Sequence, residues 1–230
     1  MYASNDKLII LDADGTTIDS FAAIERVFVR HGMSIGDLER FQQRRNLFKY
    51  LGGIKEFPRN LARQMRKVRR SDLLLSLTEV YREEASLFPG MAGFIRSLIK
   101  TDDLRVGLVT RNITHEPEVT LGRLFARHDL DIHELDFIRC IPLKEKKGPH
   151  FQEIVKDYRV NPARAYACGD EHGDYNAALS AGIRPFIGSY GFESHKRLSV
   201  KFEIPEGFLS SRPEELIQRV IHALDIEGPR

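Results

Sequence analysis

Short apolar runs recur along this chain with helical stretches between them, and that alternation is the tightest restriction on its fold. Residues 7–11, 105–109, 137–141, 163–168 and 184–187 are runs of four to six residues dominated by apolar side chains, as expected of strands buried on both faces. Between them, segments 90–100, 118–127, 151–158 and 175–181 repeat apolar residues every three or four positions, which predicts helices with one buried face. Strands alternating with such helices form βαβ units, so the predicted class is α/β, a parallel sheet covered by helices on both faces. A last helix is expected from near Ser211, where Ser211 and Glu214 have capping-box spacing, to about Leu224.

One stretch breaks the pattern. From residue 20 to 87 there is no convincing strand, only helical periodicity over 21–31, 37–50, 59–68 and 72–85. An insertion of that size is too long for a loop, so two units are expected: a sheet domain of residues 1–19 and 88–230, and a helical domain of residues 20–87. Asp19-Ser20 and Phe88-Pro89-Gly90 are the expected hinges. A chain of 230 residues has room for one good core and a small second module.

Open α/β sheets bind ligands beyond the carboxyl ends of their strands, and the polar motifs of this chain fall there. The first run ends in Asp12-Ala13-Asp14-Gly15-Thr16. An isolated Asp-Gly marks a turn, but residues two apart on a strand face one way, so both acids can lean over one crevice. One carboxylate can then attack while the other handles a proton. Two crowded anions need a cation, and hard oxygen ligands with no His or Cys beside them favour Mg²⁺.

Three later motifs follow strand ends. Thr110-Arg111-Asn112 supplies a hydroxyl, a guanidinium and an amide suited to phosphate oxygens. Lys144-Glu145-Lys146-Lys147-Gly148-Pro149 precedes a helix expected to begin near His150, and a lysine there can neutralise a dianion together with a nucleophile. Lys147 is preferred because Phe151 and Ile154 follow it at helical spacing, with Lys146 in reserve. In Cys168-Gly169-Asp170-Glu171-His172-Gly173-Asp174, Asp170 can complete a metal site, and Asp174, one helical turn on, can orient a ligand or the lysine.

Taken in order, DADGT at 12–16, Thr110, a lysine at 146 or 147 and GDEHGD at 169–174 resemble the four motifs of the haloacid dehalogenase-like hydrolases. The resemblance implies a Rossmann-like core, with residues 20–87 as a helical cap inserted after the first motif. It further implies that Asp12 is a nucleophile forming an aspartyl-phosphate, Asp14 a general acid and base, and Thr110 and Lys147 the groups that hold the phosphoryl. Asp12, the backbone carbonyl of Asp14, Asp170 and Asp174 would make the Mg²⁺ site. Arg111, Asn112 and the cap residue Arg45 would bind substrate. Because Asp14 is present, the implied bond is a phosphate ester rather than a carbon–halogen or phosphonate bond. The expected reaction is hydrolysis of a small phosphorylated metabolite, as in phosphoglycolate phosphatases. A sugar phosphomutase, or a binding protein on the same scaffold, are the alternatives. Two positions depart from the usual pattern: Lys-Lys-Gly-Pro replaces Lys-Pro-x-Pro, and Thr17 follows DADGT where an apolar residue is common.

Composition closes off other classes. A formal charge of +2 does not argue for nucleic acid as a partner. The basic run Arg59, Arg63, Arg66, Lys67, Arg69 and Arg70 reads as a solvated helix face. The absence of eighteen uninterrupted apolar residues argues against a membrane span. Cys140 and Cys168 have no metal-type spacing and read as buried strand thiols, as expected in a reducing cytoplasm.

Overall fold

The computed structural model describes residues 6–33 and 68–226. Six parallel strands, β1 (Lys7–Leu11), β2 (Leu104–Thr110), β3 (Phe137–Cys140), β4 (Ala165–Gly169), β5 (Arg184–Gly188) and β6 (Leu209–Ser210), lie in the order β3-β2-β1-β4-β5-β6. The chain runs from β1 outward to β3, then returns to the other side of β1 as β4. That reversal makes the carboxyl end of β1 the switch point where such sheets open a crevice.

Side chains alternate across β1, as a period of two requires. Ile9 and Leu11 join Phe94, Ile95 and Leu98 of α3 (Met91–Ile99), Leu121, Leu124 and Phe125 of α4 (Pro117–Ala126), and α7 (Pro213–Leu224) in the larger core. Leu8 and Ile10 face the other way, onto Phe151, Ile154 and Val155 of α5 (Lys147–Asp157) and onto Ala177 and Ala178 of α6 (His172–Ser180). Leu11 is level with Leu108 and Cys168 on its neighbours, so the residues that follow emerge together on one rim.

Between β1 and α3 the described residues form α1 (Ser20–Arg30) and α2 (Arg70–Glu83) and no strand longer than an isolated bridge. Both helices bury an apolar stripe in one cluster, Ile24, Val27 and Phe28 meeting Leu73, Leu77 and Tyr81. Their connections to the sheet run side by side. The Asp19 amide donates to the Ser86 carbonyl and the Phe88 amide to the Thr17 carbonyl, each at 2.9 Å. The helical patterns at 37–50 and most of 59–68 lie outside the described residues, as do Arg45 and the first four members of the basic run. Arg69 and Arg70 are exposed.

Two local expectations are corrected, and one strand is added. Helix α5 starts at Lys147 rather than near His150, because Pro149 falls within the first turn, where a missing N–H costs nothing. Helix α7 starts at Pro213, which suits the first helical position. The register therefore shifts, and the Ser211 amide and hydroxyl bond Glu215 instead of pairing with Glu214. Strand β6 forms within 188–210, a segment with no strand signal, and needs only two residues to extend the sheet. No helix among the described residues is long and apolar enough to cross a membrane.

Candidate active site

Asp12 leaves the end of β1 buried, and the Ala13 amide donates to its Oδ1 at 2.8 Å. Its Oδ2 lies 2.7 Å from Lys147 Nζ, and the same ammonium is 2.7 Å from Asp174 Oδ1. Lys147 is the first residue of α5 and almost fully buried, whereas Lys146 just before it is exposed. Helix start thus separates two adjacent lysines that sequence pattern leaves close to equivalent. Asp174 Oδ2 accepts from the amides of Glu171 and Asp170 at 3.0 and 3.3 Å, which closes the first turn of α6. That contact needs Gly169, since a Cβ there would come within 2.3 Å of the Asp174 side chain.

Asp170 is fully buried between two loops. Its Oδ1 accepts from the Thr16 hydroxyl at 3.1 Å and its Oδ2 from the Phe192 amide. Gly191 passes so close that a Cβ would stand 2.3 Å from Asp170 Oδ2. We expect Gly191→Ala to displace Asp170 and lower kcat/KM by ~10- to 100-fold, as misplacement of about an ångström does in positioned sites. Steady-state kinetics check this, and activity within twofold of wild type would refute it.

Asp14, two residues beyond Asp12, turns elsewhere. Its carboxylate accepts from Tyr81 Oη of α2, Ser20 Oγ and Asn112 Nδ2. Asn112, expected at the substrate, donates to Asp14. Arg111 pairs with Glu171 at 2.6 Å, beside Asp174. Thr110 is buried at the end of β2, and its hydroxyl meets no hydrogen-bond partner among the described residues. Tyr81, Gly191 and Phe192 carry no local motif for these contacts, whereas Thr16 closes DADGT and Ser20 belongs to an expected hinge.

Burial dominates the electrostatics. It pushes the Asp12 carboxyl up to about 7 despite Lys147, and raises Asp14 as well. Asp170 is pushed well above the usual carboxylate range by burial and by the charges of Asp12 and Asp174. Burial also acts upward on Asp174, but Lys147 and Arg111 outweigh it and hold that carboxyl low. Asp12, Asp170 and Asp174 offer oxygens within 4.8 Å of one another, all buried. Lys147 reaches two of these acids, and among the described residues no lysine or arginine forms an ion pair with Asp170. The surplus negative charge and all-oxygen donor set fit a divalent cation such as Mg²⁺.

A family model described as haloacid dehalogenase-like hydrolase matches residues 7–182. The chain belongs to the haloacid dehalogenase-like hydrolase family. No curated protein matches it. Among solved structures, a Thermotoga maritima protein provisionally described as a beta-phosphoglucomutase is similar at a TM-score of 0.63 and 20% identity, covering 94% of this chain and 99% of the other. CbbY from Rhodobacter sphaeroides in complex with phosphate gives 0.59 and 22%, covering 92% and 96%. A haloacid dehalogenase-like family protein from Streptococcus pneumoniae gives 0.59 and 18%, covering 94% and 98%. At these identities the likeness is one of fold.

Proposed function

We propose that this hydrolase is a Mg²⁺-dependent phosphatase that cleaves a small phosphorylated metabolite through an aspartyl-phosphate on Asp12. The observation that carries the reading is the unlike surroundings of the two acids. Asp12 sits in the carboxylate cluster against Lys147, while Asp14 stands apart among neutral donors. Environments that separate two carboxylates assign them separate tasks.

In the first step Asp12 attacks phosphorus as the ester P–O bond breaks, and Asp14 gives its proton to the departing oxygen. In the second, water attacks the phosphoryl group, Asp14 takes the water proton, and the Asp12–phosphorus bond breaks. Lys147, and Thr110 with a hydroxyl that has no partner among the described residues, hold the phosphoryl oxygens. Asp12, Asp170, the Asp14 carbonyl and Asp174 are the groups that would hold Mg²⁺, which when bound neutralises phosphoryl charge. Residues 20–87 act as a cap, and Arg45 and Arg111 bind the substrate's remaining groups. CbbY, of the same fold, has been crystallised with phosphate and, as a variant, with xylulose-(1,5)bisphosphate, which supports a phosphorylated substrate class here.

The test is hydrolysis of p-nitrophenyl phosphate with Mg²⁺ and after EDTA. Chelation is expected to lower kcat by at least ~10²-fold, reversibly. Turnover that ignores EDTA would overturn the proposal. Release of inorganic phosphate from sugar phosphates, outpacing their isomerisation, separates it from a phosphomutase.

The same site predicts a pH dependence of stability. With its folded value at about 7 against an ordinary 3.8, Asp12 contributes stability that is full below about pH 4 and lost as pH rises through 7. Asp170 acts in the same sense, and Asp174, held low, in the opposite one. The Tm of the metal-free protein should therefore fall between about pH 5 and 8, and Mg²⁺ should restore it. A Tm that is flat with pH and unmoved by Mg²⁺ would count against the cluster as a cation site.

A further inference from the structure

Asp14 is held by donors from three separate parts of the chain. Its Oδ1 accepts from the Tyr81 hydroxyl at 2.5 Å and from the Ser20 hydroxyl at 3.1 Å. Oδ2 accepts from Asn112 Nδ2 at 3.0 Å, and that nitrogen lies 3.3 Å from Oδ1. The Asn112 carbonyl oxygen accepts from the Thr114 amide at 3.0 Å and from the Thr114 hydroxyl, which sets the nitrogen towards Asp14. Tyr81 is itself immobilised. Its ring is fully buried, and Arg127 donates to the carbonyls of Tyr81 and Arg82 at 3.1 Å each, fixing the end of α2.

A carboxyl group that delivers a proton carries it on one oxygen while the other accepts. Two hydroxyl donors crowd Oδ1, so the proton belongs on Oδ2, where Asn112 is the only donor among the described residues. We propose that Tyr81 is a positioning residue for the reaction: its hydroxyl, with that of Ser20, anchors Asp14 Oδ1 so that the transferable proton is presented on Oδ2. The inference rests on the reading of Asp14 as the general acid. As the Asp12 oxygen bonds to phosphorus and the ester P–O bond breaks, the leaving oxygen takes the Oδ2 proton. When water later attacks the phosphoryl group, its proton returns to Oδ2 and Asp12 is released with phosphate.

The test compares kcat/KM, which reports the first irreversible step, for phenyl phosphate and p-nitrophenyl phosphate. The two are similar in size, but p-nitrophenolate departs with little need of a proton. Tyr81→Phe keeps the buried ring and removes one donor. It should lower kcat/KM for phenyl phosphate by ~10-fold or more, within the range of general-acid contributions, and for p-nitrophenyl phosphate by less than about threefold. In an Asp14→Asn background it should add less than about twofold, since the two residues act as a unit. Equal losses on both substrates, or a full loss in the Asp14→Asn background, would overturn the proposal. If Tyr81→Phe does not fold, Ser20→Ala must show the same substrate split, and equal losses there overturn it likewise. An Asp14→Asn variant impaired equally on both substrates would instead remove the general-acid reading itself. A split in Asp14→Asn without one in Tyr81→Phe would remove only the role of Tyr81.

Discussion

Asp12→Asn is expected to lower kcat/KM by at least ~10⁴-fold, a loss typical of removing a covalent nucleophile, and to abolish the trapped phosphoenzyme. The change should be nearly silent for folding. The asparagine carbonyl still accepts from the Ala13 amide, and Lys147 keeps Asp174 as a partner at 2.7 Å. Burial is what pushes the Asp12 carboxyl up to about 7, so removing its charge relieves more desolvation than it forfeits in attraction to Lys147. Thermal unfolding should therefore show an unchanged or raised Tm in the metal-free protein at pH 8. Residual activity within 10²-fold of wild type, with the fold intact, would exclude Asp12 as nucleophile.

Lys147→Met is expected to do the reverse, harming both stability and activity. Methionine fills much the same space but leaves Asp12 and Asp174 buried without their shared cation. Breaking a buried ion pair by deleting one partner costs about 3–5 kcal/mol, or roughly 6–20 °C in Tm for a domain of this size. The loss should be smaller at pH 5 than at pH 8, because Asp12 without its cation takes up a proton more readily and the uncompensated charge disappears. Activity should fall by ~10²- to 10³-fold, as when a donor to developing charge is removed. Denaturant unfolding at the two pH values is the measurement, and equal stability of variant and wild type at pH 8 would contradict the bridging role drawn from the distances.

Much of this architecture is legible along the chain. Runs such as LIIL at 8–11 can be buried on both faces only within a sheet covered by helices, and the strands fall within a residue or two of where those runs predict them. The motif residues at their carboxyl ends follow for the same reason, since a parallel sheet delivers every strand to one rim. Lys147 needed more. Whether it or Lys146 faces the acids depends on the residue at which α5 begins, and Pro149 can stand in the first turn as readily as it can precede a helix.

Other contacts have no local signal. Gly191 and Phe192 reach Asp170 across 21 and 22 positions of sequence, and Tyr81 reaches Asp14 across 67. A buried carboxylate must find donors, but nothing in its own neighbourhood names which segment will supply them. The sequence by itself determined the kind of sheet, the rim on which the polar groups gather and the residue types of the chemistry, because strand period and turn residues act over a few positions. Only the tertiary structure decided that Lys147 bridges Asp12 and Asp174 while Tyr81, Ser20 and Asn112 take Asp14. Burial makes each unpaired polar group costly, and the partners that satisfy it are chosen by packing in three dimensions.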